Sequence, residues 1–336
     1  MNEGIILNPL FERMTSFSNL LLAGKKAFRG KKIKKSVSKF FFNLENELFQ
    51  LQKELNNKTY KPRPYHYFVL KEMKTRTVSS ADFRDRVVHH ALLNIIENIF
   101  EKCFIEDSYA CRKNKGTQKA IFLAQKYTNQ YKYFMKCDIK KYFDNINHKT
   151  LISMISEKIY DNNILWLCEL IIKNSVSSEK GIPIGNLTSQ FFANVYLDPM
   201  DHYTIEKLNM KAYIRYMDDF LVFSDNIENL HIALASINNF LSQELKLRIK
   251  ENEIMIAPVT EGIPFLGFRI YKNLIRVRNN NLRRTVKKLA SKVKNYNDGI
   301  IDINKLESSV NSMLGHLKHG NTLNLRKKLF YNTLEG

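Results

Sequence analysis

Apolar positions in this chain switch repeatedly between the helical period and the strand period. Val37, Phe40, Phe41, Leu44, Leu48, Leu51 and Leu55 recur at spacings of three and four and predict one helix whose apolar stripe needs a covering surface, ended by Asn56-Asn57. The two prolines of Tyr60-Lys-Pro-Arg-Pro-Tyr65 then impose extended backbone. Residues 65–80 read as a hairpin, Tyr-Phe-Val-Leu followed by Thr-Arg-Thr-Val. Val87, Val88, Ala91, Leu92, Ile95, Ile96, Ile99 and Phe100 predict a buried helix within residues 82–103. Further helices are expected over 146–160, over 163–174 with Trp166, from about Leu187 through Leu197, and over 226–243. Leu245, Leu247 and Ile249 alternate as a strand, and Ile263-Pro-Phe-Leu-Gly-Phe268 reads as a tight apolar hairpin. Two more helices follow, one carrying Arg283, Arg284, Lys287, Lys288, Lys292 and Lys294, the other Leu306, Val310, Met313, Leu314 and Leu317.

One strand-like run carries charge where charge is costly. Ala212, Tyr213, Ile214 and Tyr216 lead into Asp218 and Asp219, and Phe220, Leu221, Val222 and Phe223 follow, which predicts a hairpin with the acidic pair at its bend. Adjacent like charges repel and burial adds a desolvation cost, so the pair needs cations or protons. A plain polar turn explains a lone Asp-Asp as well. A second acidic strand end changes that balance: residues 131–138 run from Tyr131 through Phe134 and Met135 into Asp138. Hard carboxylate oxygens favour Mg²⁺ over zinc, and three of them on neighbouring strands suit a two-metal nucleotidyl-transfer site, its ions about 3.5–4 Å apart.

Charge narrows the partners. Lys and Arg number 53 against 33 Asp and Glu, a net +20, which favours a polyanion. Lys25, Lys26, Arg29, Lys31, Lys32, Lys34, Lys35 and Lys39 crowd one acid-free segment, fit for phosphates or an acidic protein face, or simply a solvated run. No apolar stretch of about 18 residues is present, and Glu3, Glu12 and Arg13 interrupt any leader, so no membrane association and a cytoplasmic location are expected. The four cysteines, Cys103, Cys111, Cys137 and Cys168, lack metal or disulfide spacing and are expected as small buried residues. His89 and His90 point about 100° apart on a helix and do not share an ion.

Taken together, Tyr216-Met217-Asp218-Asp219, Asp138 with Phe143 after it, and Gly181-Ile-Pro-Ile-Gly-Asn-Leu-Thr-Ser-Gln190 between them resemble the palm motifs of a reverse transcriptase. The Ile-Gly-Asn-Leu-Thr-Ser-Gln form, where most reverse transcriptases carry Gln-Gly and end in Ser-Pro, resembles the enzymes of bacterial or phage diversity-generating retroelements, related to those of group II introns and retrons. The resemblance implies an α+β right-hand polymerase fold. Its parts are a basic helical extension over 1–60, fingers over 61–130, a palm with an antiparallel sheet over 131–272 that takes in finger helices near 150–180, and a small helical thumb over 273–336. It also implies RNA-directed DNA synthesis, with Asp138, Asp218 and the looser Asp219 holding two Mg²⁺, or Mn²⁺ in their place. One ion acidifies the primer 3′-OH and the other steadies the leaving pyrophosphate.

By the same resemblance Lys74 and Arg76 close over the incoming triphosphate, and Arg112 helps hold nucleic acid or nucleotide. Phe143 lies below the sugar and excludes a 2′-OH. Ile184, where most of the group place Gln, lies beside the nascent base pair and makes synthesis error-prone at template adenine, in a motif that ends at Gln190. Phe265, Leu266 and Gly267 match the primer grip, although a plain core hairpin explains them equally. Glu253 stands where a pyrophosphate-protonating lysine is often found, with Lys250 near it. Implied partners are template RNA, primer or cDNA, dNTPs and a small basic accessory variability protein that forms a pentamer. The implied role is copying a template-repeat RNA into mutagenised cDNA for retrohoming, with any further processing in trans. Group II intron, retron and anti-phage defence enzymes, and a catalytically dead RNA-binding protein of polymerase shape, are the alternatives.

Overall fold

The computed structural model describes residues 10–30, 35–71, 75–175, 177 and 179–334. In chain order the elements begin with α1 (Leu10–Thr15), α2 (Phe17–Phe28), α3 (Lys35–Phe42), α4 (Leu44–Asn56), β1 (His66–Lys71), β2 (Thr75–Ser80), α5 (Phe83–Glu101) and α6 (Thr117–Gln130). Next come β3 (Tyr133–Asp138), α7 (Tyr142–Asn145), α8 (His148–Ser156), α9 (Asn162–Lys173), α10 (Leu187–His202), β4 (Tyr213–Tyr216), β5 (Asp219–Ser224) and α11 (Ile227–Gln243). The chain closes with β6 (Met255–Pro258), β7 (Ile263–Phe265), β8 (Phe268–Tyr271), β9 (Leu274–Val277), α12 (Asn279–Asn297), α13 (Ile303–Leu317) and α14 (Leu323–Leu334). None of the described helices is long and apolar enough to cross a membrane.

Two compact units share these elements. The first draws on Met1–Glu106, Ile139–Tyr203 and Ile237–Ile249. Its central helix is α5, started by the Asp82 carboxylate, which accepts the Arg84 N–H. Val87, Val88, Ala91, Leu92 and Ile96 are buried along α5, and α1, α2, α3 and α10 pack against it. His89 is buried with them, and burial holds its pKa down at about 3, a neutral core histidine. The buried Asp85 carboxylate ties the proline-rich entry to this core, accepting the Tyr60 hydroxyl at 2.7 Å and the Arg63 N–H at 2.9 Å. The antiparallel pair β1–β2 runs in register from His66 opposite Ser80 to Lys71 opposite Thr75.

The second unit draws on Asp107–Asp138, Thr204–Ser236 and Lys250–Gly336. Four antiparallel strands in the order β4-β5-β3-β6 form one sheet, and β7-β8-β9 form another. Phe134, Ile214, Leu221 and Phe223 share a core with Ala120, Ile121 and Ala124 of α6 and with Phe265, Phe268 and Ile270 of the smaller sheet. Met135 and Cys137 are buried on the opposite face of β3, so both faces of the sheet are covered.

Several local expectations give way. The single helix expected from Val37 to Leu55 is broken at Asn43 (φ −117°, ψ 36°), whose side-chain oxygen accepts the Asn46 amide at 2.8 Å; a local hydrogen bond competes with helix continuation. Leu245, Leu247 and Ile249 are buried but make no strand, only an isolated bridge from Ile249 to Ile139, because burial and not a ladder sets their alternation. Cys111 is exposed, at φ 55° in a turn, and is not a core residue. α6, β6, β9 and α14 were not expected.

Candidate active site

The carboxylates are set by strand register in the second unit. β3 and β5 pair antiparallel so that Asp138 lies directly opposite Asp219. Tyr216 pairs with Asp219 across β4 and β5, leaving Met217 and Asp218 as a two-residue hairpin loop. Met217 has φ +59° and Asp218 does not share the positive sign, the φ pattern of a type II′ turn, in which glycine is usual at the first position. Asp219 is therefore the first residue of a strand and not part of the bend itself.

What fixes this turn is a residue that the apolar pattern passed over. Arg215 is wholly buried; its guanidinium donates to the Met217 carbonyl at 3.2 Å and to the Ser108 hydroxyl at 3.2 Å. Its backbone N–H donates to the Asp107 carbonyl and its carbonyl accepts the Tyr109 N–H. A lone arginine within an apolar strand was the available signal. The Tyr216 hydroxyl is met by the Thr117 hydroxyl at 3.0 Å.

Strand alternation gives the carboxylates a cation. Phe134, Lys136 and Asp138 share one face of β3, and across β5 they meet Phe223, Leu221 and Asp219 in turn. The Lys136 ammonium stands 2.9 Å from Asp219 Oδ1, with side chains only 11% and 20% exposed. The ammonium is thus the charge partner of this largely buried carboxylate. The Asp219 carboxyl is pushed up to about 7, first by burial and then by Asp138 and Asp218, with Lys136 pulling the other way. Cys137 faces away, its thiol pushed up to about 12 by burial.

Lys250 donates its backbone N–H to the Asp138 carbonyl at 2.8 Å, and its ammonium pairs with Glu253. Among the described residues no three His, Cys, Asp or Glu side chains form a ready-made metal cage. The donor set nonetheless fits a hard divalent cation: carboxylate oxygens alone, brought together at one strand end.

Arg76, Phe143, Ile184 and Gln190 belong to the first unit, where a second constellation lies. The loop before α10 is laced to β2: the Ile184 carbonyl accepts both the Ser79 N–H at 2.8 Å and the Ser79 hydroxyl at 2.9 Å. Asn186 donates to the Ser79 hydroxyl and accepts the Ala81 N–H, each at 3.1 Å. Gly185, at φ +111°, is the residue this approach requires; a Cβ there would stand 2.6 Å from Val78 Cγ1 and 2.7 Å from the Ser79 carbonyl oxygen. A cavity of about 290 Å³ opens beside the loop, lined by Tyr67, Thr77, Asp144, Lys180, Pro183 and Ile184 among others.

Phe143 is half-buried with its ring edge-on to Tyr142 at 5.5 Å, and its carbonyl accepts the Ile182 N–H at 2.9 Å. Arg76 is exposed on β2 opposite Leu70, and Gln190 is half-buried in the first turn of α10. Lys74 lies outside the described residues. In the second unit, Arg112 donates to the Ser108 carbonyl at 2.9 Å. Phe265 is fully buried, leaving Leu266 (φ 47°) and Gly267 (φ 90°) as the turn, where the Gly267 carbonyl accepts the Asn281 amide at 3.2 Å and the Arg278 N–H at 3.1 Å.

Residues 69–270 match the family model described as "Reverse transcriptase (RNA-dependent DNA polymerase)". The chain is 22% identical to the group II intron-encoded protein LtrA of Lactococcus lactis subsp. cremoris, over 67% of this chain and 50% of that protein. It is 28% identical to the retron Ec73 reverse transcriptase of Escherichia coli, over 54% of this chain and 60% of that one. The chain thus spans half to three fifths of these relatives' own length. Among solved structures, apo telomerase from Candida tropicalis, truncated from its C-terminal domain, aligns with TM-score 0.51 at 12% identity, over 67% of this chain and 59% of that chain. That likeness gives the fold, a right-hand polymerase. With its match covering more than half of the sequence, the chain belongs to the reverse transcriptase family.

Proposed function

We propose that this chain is an RNA-directed DNA polymerase whose catalytic and metal-holding residues are Asp138, Asp218 and Asp219. The observation that carries the reading is the pairing of Asp138 with Asp219 across β3 and β5 beside the Met217-Asp218 turn, within a reverse transcriptase domain. Two Mg²⁺ ions, or Mn²⁺, supply a deprotonated primer 3′-OH and charge neutralisation at the leaving pyrophosphate when bound. Asp138 and Asp218 would hold them, and Asp219, ion-paired with Lys136, would be the looser ligand. On this reading Lys74 and Arg76 bind the triphosphate, Arg112 steadies nucleic acid or nucleotide, Phe143 excludes a 2′-OH, Ile184 and Gln190 contact the nucleotide, and Leu266 and Gly267 with the anchored Phe265 meet the primer. The test is template-dependent dNTP incorporation on a primed RNA by the purified chain, with and without chelator. Absence of Mg²⁺- or Mn²⁺-dependent DNA product overturns the reading.

The finer role is mutagenic retrohoming in a diversity-generating retroelement, with synthesis error-prone at template adenine and a pentameric accessory variability protein as partner. Ile184 supports it: its carbonyl is committed to Ser79 while the residue lines the cavity, where an isoleucine packs but donates no hydrogen bond to brace a base pair. The second reading, a group II intron or retron enzyme, is favoured by the names of the relatives. The DNA flanking the coding region separates the two. A near-repeat pair differing at adenine positions supports the first, and an intron or retron RNA gene in its place overturns it.

A further inference from the structure

We propose that Lys136 is a positioning residue, the standing counter-ion of the carboxylate cluster, which holds Asp219 and sets how tightly the site takes a divalent cation. The inference deepens the proposed function and rests on the same site.

Lys136 sits where an apolar residue is expected. Its face of β3 carries the fully buried Phe134 before it, and the fully buried Leu221 lies opposite it on β5. A lysine side chain only 11% exposed at such a position is costly unless its charge is used. The use is two residues further along the same face. Asp138 and Asp219 lie directly opposite each other, an arrangement in which like charges destabilise a strand pair. Lys136 is the diagonal neighbour of Asp219 and reaches its Oδ1 at 2.9 Å. The ammonium offsets the Asp219 charge within the cluster, so the protein tolerates these carboxylates without metal. Because the ammonium touches a carboxylate of the cluster, it also repels the cation that the cluster attracts. Lys136 therefore stabilises the metal-free protein and tempers its affinity for metal.

The test compares the full-length wild type with Lys136→Met and Lys136→Arg in the absence of primer and dNTP. Mn²⁺ binding is followed by electron paramagnetic resonance, and thermal unfolding is recorded with chelator and with Mn²⁺. Removing a unit charge at this range tightens Mn²⁺ binding roughly tenfold in Lys136→Met. It also widens the gap between the two melting temperatures, while Lys136→Arg stays near wild type. A Lys136→Met protein that folds only when Mn²⁺ is supplied is the same result in stronger form, and one that Mn²⁺ does not rescue counts against the proposal. Equal or weaker Mn²⁺ affinity in Lys136→Met overturns the role of Lys136 alone. A wild type that binds no Mn²⁺ overturns the metal site with it.

Discussion

The carboxylate end of the β3–β5 pair and the loop docked on β2 are built by different means. At the strand end, backbone register places the side chains and the side chains carry the chemistry: Asp138 faces Asp219 because every pair from Tyr133 onward is in step. At the loop, backbone and polar side chains fasten the segment together, with Asn186 bonded to both Ser79 and Ala81. The Ile184 carbonyl and a glycine at φ +111° dock the segment, and the Ile184 side chain is not needed to hold it. Function at the first place is therefore sensitive to side-chain chemistry. At the second, the docking glycine is constrained and the residue beside it is free to vary.

Substitutions break this comparison in order of size. Asp138→Ala should lower primer extension by at least roughly 10²–10³-fold, the scale of losing one preorganised electrostatic group, while the unfolding transition stays cooperative. A variant that copies RNA at the wild-type rate would place the chemistry elsewhere. Gly185→Ala should destabilise the protein by about 2–4 kcal/mol in denaturant titrations, since it adds an unfavourable φ to a steric overlap with β2. An unchanged midpoint would mean that the loop is not docked as described. Phe143→Ala should raise ribonucleotide incorporation relative to the matched deoxynucleotide by roughly tenfold or more, read from single-nucleotide extension, because one lost steric contact is worth that much discrimination. If the ratio does not move, another side chain is the sugar gate. Ile184→Gln should leave stability within about 0.5 kcal/mol of wild type. It should also reduce misincorporation opposite template adenine by up to roughly tenfold, through a restored hydrogen bond. Equal error spectra in sequenced products would remove Ile184 from the account of fidelity.

The sequence disclosed local chemistry better than long-range pairing. Runs of bulky, strand-favouring residues marked β3, β4 and β5, and the interrupting aspartates marked the site. That β3 pairs β5 on one edge and β6 on the other is a tertiary choice with no local signature. Lys136 and Arg215 escaped notice for a related reason. A charged residue within an apolar strand reads locally as an edge or surface position, and only the fold shows Lys136 beside Asp219 and Arg215 beneath the turn. The docking of the Ile184-Gly185 segment on Ser79, more than a hundred residues earlier in the chain, likewise has no local signature. The helix break at Asn43 turned on a single side-chain hydrogen bond, too small a signal against the apolar period on either side. β9 is four residues long, Leu274–Val277, short enough for its pairing with β8 rather than its own pattern to define it.

The most direct measurement is single-turnover incorporation of one deoxynucleotide on a primed RNA template in Mg²⁺, comparing wild type with Asp218→Asn after matching their unfolding midpoints. Asp218 sits in the Met217-Asp218 loop, so the amide keeps shape and turn while removing one ligand charge. The account predicts a DNA product from the wild type and a rate lower by at least roughly a hundredfold in the variant. Equal rates in the two proteins, or a wild type that extends no primer on RNA, would contradict it.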